Sequence, residues 1–215
     1  MRFSLIITAG GTSSRYGNTN KLLEKIDSKT VIEHSIEPFY CFKEIEEIII
    51  PANKAITENL KEIFSDSKIK IIEGGETRQK SVYKALRETT GDYVIIHDGA
   101  RPLITKEIIQ NVINSVIKYD SVSVMTKTTD TIKEVDETGR IIRTIDRSKL
   151  YNTQTPQAFK RDLIIKAHEK LKNGNYTDDS SMLESLGIPV YISEGDYKNI
   201  KITSKSDLDF AKLYI

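Results

Sequence analysis

Residues 5–17 read Leu5-Ile6-Ile7-Thr8-Ala9-Gly10-Gly11-Thr12-Ser13-Ser14-Arg15-Tyr16-Gly17, an apolar run followed directly by a loop of small residues. Small residues after a strand let backbone N–H groups approach a polyphosphate closely, and Arg15 and Lys21 add positive charge beside it. The loop completes neither the P-loop pattern nor the glycine pattern of dinucleotide-binding folds. By itself it fits two interpretations, an anion-binding loop and an ordinary strand-to-helix turn with a solvated arginine and lysine.

Four similar apolar runs recur downstream, with segments of helical character between most of them. They are residues 48–50, 69–72, 93–96 and 122–124. Between two of these runs, Val82, Ala85 and Leu86 have the i, i+3, i+4 spacing of a helix face turned to the core. The alternation predicts an α/β fold of three layers, in which helices flank a mostly parallel sheet on both faces. A length of 215 residues suits one domain, and we assign residues 1–215 to it.

Residues 131–145 break this alternation. Two β-branched runs, 131–135 and 141–145, flank the turn-forming residues 136–139, a pattern that predicts a β-hairpin. Its strands offer few residues for a core face, so we expect an arm over about residues 128–152, projecting from the domain and available to a partner subunit. At the C-terminus, Ser206 is a candidate N-cap of a final helix.

The composition excludes several function classes. Thirty-two Lys and Arg residues balance thirty-one Asp and Glu residues, so a net charge of +1 gives no general attraction to nucleic acid or to acidic membranes. No apolar run approaches the ~20 residues that span a bilayer. The single cysteine, Cys41, lies in an apolar run and is expected to be a buried thiol of a cytoplasmic protein.

A second polar segment, residues 97–102, follows the predicted central strand 93–96. Ligands gather beyond the carboxyl ends of the strands in an open parallel sheet, so Asp98 and Arg101 should open into the same crevice as the first loop. Asp98 could orient a hydroxyl group or help to hold Mg²⁺, whereas His97 is better interpreted as a packed, hydrogen-bonded histidine.

Other polar segments are ambiguous one at a time. The loop 73–81 could bind a base edge, or it could be a helix start capped by Thr77. Asp178 and Asp179 have the usual pattern of a solvated acidic pair at a helix start, and Lys201 could extend into solvent from a strand.

Taken together, these segments resemble the 2-C-methyl-D-erythritol 4-phosphate cytidylyltransferase family, which belongs to the Rossmann-like, glycosyltransferase-A-like nucleotidyltransferases. The similarity runs nearly end to end, and several ordered motifs are more specific than any one alone. The motifs are Ala9-Gly10-Gly11 through Arg15, Lys21, residues 74–81, residues 97–102, residues 130–133, Asp146-Arg147, residues 154–157, residues 177–179 and residues 199–203.

The resemblance implies a homodimeric enzyme that transfers a cytidylyl group from CTP to a polyol phosphate with Mg²⁺, and it implies roles for individual residues. CTP would be bound by Ala9, Gly10, Gly11, Gly75, Glu76 and Ser81. The catalytic cations would be Arg15, Lys21 and Lys201. The polyol phosphate would be bound by Asp98, Arg101, Thr155 and Thr177, and by Thr131 and Arg147 from the arm of the second subunit.

Two departures and three alternatives accompany this interpretation. Ser13 stands where the family usually has glycine, and Asn20 where it commonly has proline. Ribitol-5-phosphate cytidylyltransferases share the fold and the chemistry; Ala100 and Asp146 favour the methylerythritol enzyme, whereas paired Gly10-Gly11 is closer to the ribitol type. A non-catalytic nucleotide-binding module is disfavoured by the retained cations, and a nicotinamide-dependent oxidoreductase by the incomplete glycine pattern.

Overall fold

The computed structural model describes residues 1–11, 16–17, 19–172, 174 and 176–215. The strands are β1 (Phe3–Thr8), β2 (Lys25–Ile26), β3 (Lys29–Thr30), β4 (Ile45–Ala52), β5 (Ile69–Glu73), β6 (Tyr93–Asp98), β7 (Ser121–Lys127), β8 (Ile132–Val135), β9 (Ile141–Ile145), β10 (Tyr151–Lys160) and β11 (Tyr191–Glu194). The α-helices are α1 (Val31–Ile36), α2 (Thr57–Ile63), α3 (Arg78–Glu88), α4 (Lys106–Tyr119), α5 (Arg161–Lys170), α6 (Ser180–Ser185) and α7 (Lys205–Ala211). Short 3₁₀ helices occur at Glu37–Cys41, Lys54–Ile56 and Arg147–Lys149.

The main sheet has the strand order β11-β7-β10-β6-β1-β4-β5. All five strands expected from the apolar runs belong to it, and β10 alone runs antiparallel to its two neighbours. The prediction of a mostly parallel sheet is therefore confirmed. Two of the seven strands were not predicted: β10, which is polar and contains Pro156, and β11, a short and mostly exposed edge strand.

Both faces are buried at the centre of the sheet, which explains why the parallel strands β1, β4 and β6 are apolar over most of their length. In β1, Leu5 and Ile7 pack into a core on one face, together with Val112 of α4. Ile6 packs into a second core on the other face, where α3 contributes its predicted stripe. The helix face formed by Val82, Ala85 and Leu86 is fully buried, as the spacing predicted.

The carboxyl ends of the parallel strands meet at one edge of the sheet. Thr8 at the end of β1 pairs with Asp98 at the end of β6, and Ala52 at the end of β4 pairs with Glu73 at the end of β5. The loops that follow β1, β5 and β6 consequently emerge side by side. This edge is the one at which open α/β sheets bind ligands.

The predicted hairpin arm is present as β8 and β9, which form a separate two-stranded sheet. Its side chains are largely exposed, including Val135, Ile141 and Ile142, each of which is more than half exposed. Pairing with the main sheet resumes at Tyr151, where β10 begins opposite Lys127.

Three local predictions are wrong. Cys41 is exposed, because it ends a 3₁₀ helix whose buried residue is Phe39. The N-cap of α7 is Ser204, which forms a capping box with Asp207, so Ser206 lies inside the first turn. Lys201 lies in an irregular segment after β11, not in a strand.

No helix in the described part of the chain combines the length and apolar character needed to cross a membrane.

Candidate active site

Two cavities meet at the carboxyl edge of the main sheet. The first cavity, of about 390 Å³, lies against the loops after β1 and β5 and is lined by Gly10, Gly11, Lys21, Gly75, Glu76 and Ser81, among others. The second cavity, of about 400 Å³, lies between β10 and the start of α6 and is lined by Thr155, Thr177 and Asp178, among others. Arg78, Asp98 and Lys201 line both cavities. We call these three residues the junction.

Asp98 is the central anion of the junction. Its Oδ2 atom lies 2.9 Å from Nζ of Lys201 and 3.5 Å from Nε of Arg101, and its Oδ1 atom lies 4.0 Å from Nε of Arg78. Burial alone would raise the pKa of this carboxyl group, but the charges of Lys201, Arg78 and Arg101 hold it well below its usual range. Asp98 is therefore ionised at physiological pH, and three cations surround one carboxylate.

Arg101 is held more rigidly than the other two cations. Its side chain is only 10% exposed, and Nη1 donates a hydrogen bond of 2.6 Å to the backbone carbonyl of Asn199. It lines only the second of the two cavities, so the expectation that it would open into the same crevice as the first loop is wrong for Arg101, although it holds for Asp98. Because Asn199 precedes Lys201 by two residues, this bond also fixes the segment that carries the lysine.

His97 supports Asp98 from behind through a hydrogen-bond chain. The backbone N–H of Asp98 donates to Oγ1 of Thr155 (3.0 Å), and Thr155 Oγ1 lies 3.1 Å from Nδ1 of His97. Nε2 of His97 lies 3.3 Å from the carbonyl oxygen of Arg101, which can only accept, so Nε2 carries the proton and Nδ1 accepts from the hydroxyl group. Burial lowers the pKa of His97 to about 4, which keeps the ring neutral. The prediction of a packed, hydrogen-bonded histidine is confirmed.

The buried neutral state of His97 predicts an acid-dependent loss of stability. Below pH ~6.5 the His97 ring is protonated in the unfolded chain, whereas in the folded chain it stays neutral until about pH 4. The free energy of unfolding therefore decreases as the pH falls from ~6.5 to about 4. Between pH 7 and pH 4.5 we expect a decrease of about 2 to 3 kcal/mol from His97, measured by urea unfolding. The His97→Gln variant should show a correspondingly shallower dependence, and equal pH slopes in the two proteins would contradict the assignment.

The glycine loop after β5 serves as a helix start and also lines the first cavity. Thr77 caps α3 by accepting from the N–H of Lys80 (3.1 Å), and the N–H of Gly75 donates to Oγ of Ser81 (2.9 Å). A Cβ atom at Gly75 would lie 2.5 Å from Cβ of Lys80 and 2.8 Å from its backbone carbon, so only glycine fits without displacing the helix. The two interpretations of this loop are thus compatible.

The other predicted residues occupy three kinds of position. Ala9 is buried at the end of β1, where its N–H donates to the carbonyl of Pro51 (3.3 Å). Thr131 and Arg147 are exposed on the arm and line neither cavity, and Arg147 donates to the carbonyl of Thr129. Arg15 and Ser13 lie outside the described residues.

Sequence reasoning missed one residue of the junction, Arg78, and the buried carboxylate that pairs with it, Asp179. Arg78, in the glycine-loop motif, was not singled out as a site residue, although its position at the start of a helix after paired glycines was a usable signal. Asp179 was expected to be solvated but is only 1% exposed, and its Oδ2 atom lies 2.7 Å from Nη2 of Arg78. An ion pair between residues so far apart in sequence leaves no local pattern.

The described part of the site offers few protein ligands for a metal ion. Among the described residues, no group of three or more His, Cys, Asp or Glu side chains is placed to hold one. Asp98 is the carboxylate at the junction, and Mg²⁺ is commonly bound by one or two carboxylates together with substrate phosphates. The donor set fits a Mg²⁺ ion carried by a triphosphate and does not fit a dedicated protein cage.

Comparison with known proteins bears directly on this site. A model of the 2-C-methyl-D-erythritol 4-phosphate cytidylyltransferase family matches residues 3–215. The enzyme of that name from Caldanaerobacter subterraneus subsp. tengcongensis is 41% identical over 225 residues, covering 100% of this chain and 99% of that protein. The enzyme of the same name from Dictyoglomus thermophilum is 42% identical over 213 residues, covering 94% of this chain and 92% of that protein.

Solved structures agree with the sequence comparison. The crystal structure of 4-diphosphocytidyl-2C-methyl-D-erythritol synthase from Anaerococcus prevotii has a TM-score of 0.88 and 33% identity, covering 99% of this chain and 97% of that one. The 2-C-methyl-D-erythritol 4-phosphate cytidylyltransferase of Francisella tularensis has a TM-score of 0.86 and 28% identity, with both chains fully covered. With two cavities that share a cationic junction and a match over nearly its whole length, this chain belongs to the 2-C-methyl-D-erythritol 4-phosphate cytidylyltransferase family.

Proposed function

We propose that the chain transfers a cytidylyl group from CTP to 2-C-methyl-D-erythritol 4-phosphate, giving 4-diphosphocytidyl-2-C-methyl-D-erythritol and pyrophosphate. The observation that carries the proposal is the junction, where Arg78, Asp98 and Lys201 line both cavities. We assign CTP to the first cavity, which the glycine loops line, and the polyol phosphate to the second. The phosphates of the two substrates then meet where the cations are.

The reaction is an in-line displacement at phosphorus. An oxygen of the acceptor phosphate forms a bond to the α-phosphorus of CTP, and the bond from that phosphorus to the bridging oxygen of pyrophosphate breaks. The bonding electron pair leaves with pyrophosphate. A phosphate monoester is already an anionic nucleophile, so the step requires no general base, and catalysis consists of positioning and of charge stabilisation.

The described cations are suited to those two tasks. Lys201 lies 2.9 Å from Asp98 and lines both cavities, so it can contact the attacking phosphate and the α-phosphate together. Lys21 lines the first cavity, where the triphosphate would lie. We retain Arg15 as a third proposed catalytic cation from the family resemblance, and Ala9, Gly10, Gly11, Gly75, Glu76 and Ser81 as the proposed contacts to CTP.

On the acceptor side, the proposed contacts are Asp98, Arg101, Thr155 and Thr177, all of which line the second cavity. The hydroxyl groups of a polyol both donate and accept hydrogen bonds. The carboxylate of Asp98 can accept from them, Arg101 can donate to them, and the threonine hydroxyl groups can do either. Asp98 is the proposed protein ligand of a Mg²⁺ ion that would be held mainly by the triphosphate and would neutralise charge on the pyrophosphate leaving group.

A pyrophosphate-release assay tests the proposal. Each of CTP, ATP, GTP and UTP is paired with 2-C-methyl-D-erythritol 4-phosphate and, separately, with ribitol 5-phosphate. We expect turnover with CTP and the methylerythritol substrate. Turnover confined to ribitol 5-phosphate would overturn the acceptor assignment, and preference for another nucleotide would overturn the base assignment.

We also propose a homodimer joined through the arm. The arm exposes Val135, Ile141 and Ile142 on a two-stranded sheet, and such ribbons gain stability by burying an apolar face against a partner. In the dimer, the arm of one copy would bring Thr131 and Arg147 to the second cavity of the other. That arrangement accounts for their positions outside the cavities of one chain.

Replacing Ile141 and Ile142 by aspartate should dissociate this dimer, because two unpaired carboxylates cannot be buried in an apolar interface. Light scattering after gel filtration should give a mass that falls from twice the chain mass of 24.4 kDa to the chain mass itself. Leu213→Asp, at a residue that is 78% exposed near the C-terminus, is the matched control and should leave the mass unchanged. A monomeric starting protein, or a dimer that survives both arm substitutions, would refute the proposed interface.

A cytoplasmic location is a further proposal. Its support is the single cysteine of the chain, Cys41, which is exposed and free and suits a reducing compartment.

A further inference from the structure

Arg78 lies where the two cavities meet, although the reaction proposed above gives it no contact with either substrate. It is the first residue of α3, directly after the glycine loop, and it lines both cavities. Its side chain is 29% exposed, so most of it is packed while part of it faces the cavities. The positive end of the α3 dipole lies at the same place.

A buried carboxylate holds the guanidinium group of Arg78 from behind. Nη2 lies 2.7 Å from Oδ2 of Asp179, a close ion pair in which the N–H is not well aligned with the oxygen, and Nε lies 4.0 Å from Oδ1 of Asp98. Burial would lower the pKa of Arg78, but the carboxylates of Asp179 and Asp98 outweigh it and raise this pKa above its ordinary value. The guanidinium group is therefore permanently charged, and it is oriented by two anions.

Asp179 is itself fixed on its far side. Its Oδ1 atom lies 3.6 Å from Nε2 of His168, and neither ring nitrogen of that histidine has a hydrogen-bond partner among the described residues. The ring of His168 stacks on Tyr83 of α3, with centroids 5.8 Å apart and planes within 9°. The backbone N–H of Asp179 donates to Oε1 of Gln157 in β10 (3.1 Å). Arg78 of α3 and His168 of α5 thus contact the carboxylate, which is 1% exposed, while Gln157 of β10 holds the backbone of the same residue.

The buried ion pair of Arg78 and Asp179 is not needed merely to hold the fold together. Taking a carboxylate and a guanidinium group out of water is costly, and a well-packed apolar pair of similar volume often stabilises a fold equally well. Arginine presents five N–H donors in a planar fork, and the two carboxylates face only Nη2 and Nε. Donors therefore remain for the oxygens of a phosphate that enters either cavity.

We propose that Arg78 is a further catalytic residue of the cytidylyl transfer, binding the non-bridging oxygens of the two phosphates that meet at the junction, and that Asp179, backed by His168, is the residue that positions it. The inference rests on the proposed function. Arg78 forms no covalent bond and transfers no proton in this role. It stabilises negative charge while the acceptor oxygen bonds to the α-phosphorus and pyrophosphate leaves with the electron pair.

A kinetic double-mutant cycle on the full-length protein distinguishes this role from a structural one. The variants are Arg78→Met, Asp179→Asn and the double variant, compared by kcat at saturating CTP and acceptor. We expect Arg78→Met to lower kcat by about 100-fold, as for the loss of one preorganised donor, and Asp179→Asn by about 10-fold, as for the loss of a supporting contact. Because Asp179 acts through Arg78, the double variant should be no slower than Arg78→Met by more than about threefold.

The chain offers a control ion pair whose arginine lies on the same helix, α3. Arg87 of α3 forms an ion pair of 3.6 Å with Glu169 of α5, and neither residue lines the first or the second cavity. Arg87→Met and Glu169→Gln should leave kcat unchanged. The double variant at 78 and 179 removes both buried charges together, so it should fold even where Arg78→Met alone leaves Asp179 unpaired, and Arg78→Lys provides a second folded probe that keeps the charge but loses the fork.

The possible results separate the inference from the proposed function. Additive losses, approaching 1000-fold in the double variant, would overturn the positioning role of Asp179, and an unchanged kcat in folded Arg78→Lys and in the double variant would overturn the catalytic role of Arg78. Absence of cytidylyl transfer by the unmodified protein would instead refute the proposed function. A fall in melting temperature with unchanged kcat would show that the ion pair is structural.

Discussion

Methionine in place of Lys201 is expected to lower kcat by about 1000-fold, the upper end of the range for one preorganised donor. Nζ of Lys201 lies 2.9 Å from Asp98, and the side chain lines both cavities, so it reaches the place where the nucleotide and acceptor phosphates meet. Negative charge crowds at the α-phosphorus in the transition state, and an ammonium group that is already oriented stabilises it without reorganisation. The loss corresponds to about 4 kcal/mol in the activation free energy.

Pre-steady-state measurement of pyrophosphate release at saturating substrates gives the relevant rate, because it separates chemistry from product release. Lys198→Met is the matched control, since Lys198 lies three residues earlier and its Nζ lies 4.8 Å from the ring centre of Tyr214, outside both cavities. Lys201→Arg should recover part of the lost rate because it keeps the charge. A rate for Lys201→Met within tenfold of the starting protein would show that Lys201 does not act in the chemical step.

The central parallel strands β1, β4 and β6 were predictable because they are buried on both faces. Such strands are apolar at nearly every position, and the five runs stand out from the helical segments between them. β10 was not predictable by the same rule. It carries Gln154, Thr155 and Gln157, whose buried side chains make specific hydrogen bonds to distant partners, and a polar strand of this kind has no hydrophobic signature.

The sequence predicted which segments form the site, but not which side chains pair within it. The carboxyl-edge rule correctly brought Asp98 into the same crevice as Gly10 and Gly11, because it depends on strand direction alone. It could not show that Asp98 pairs with Lys201, 103 positions away, nor that Arg78 pairs with Asp179. Asp179 was wrongly expected to be solvated because an acidic residue before a helix normally caps it, and only packing of α3, α5 and β10 buries this one.

These pairings give the junction a common design. Three cations at or beside the junction are each paired with a carboxylate: Lys201 and Arg101 with Asp98, and Arg78 with Asp179. The anions keep the cations ordered and prevent mutual repulsion before the substrates bind. Electrostatic preorganisation of this kind depends as much on the carboxylates as on the cations.

Asparagine in place of Asp98 should therefore be about as damaging as loss of a cation, lowering kcat/KM for the acceptor by at least about 100-fold. Asparagine keeps an oxygen that can accept from Thr8, whose Oγ1 lies 3.2 Å from Oδ1 of Asp98, so the backbone should hold its shape. It removes the charge that orients Lys201 and Arg101, and the carboxylate proposed to bind an acceptor hydroxyl group. The KM for the acceptor should rise more than the KM for CTP.

Stability provides an independent measurement of the same substitution. Arg101 is only 10% exposed, and removing the charge of its partner leaves a buried guanidinium group uncompensated, a change that typically costs about 3 to 5 kcal/mol of unfolding free energy. Asp120→Asn is the matched control: Asp120 caps α4 with φ of 62°, a conformation that asparagine also tolerates, and it lines neither cavity. We expect it to retain full activity. If folded Asp98→Asn kept its kcat/KM for the acceptor, Asp98 would be a structural counter-ion only, and acceptor binding would have to be assigned to the remaining side chains of the second cavity.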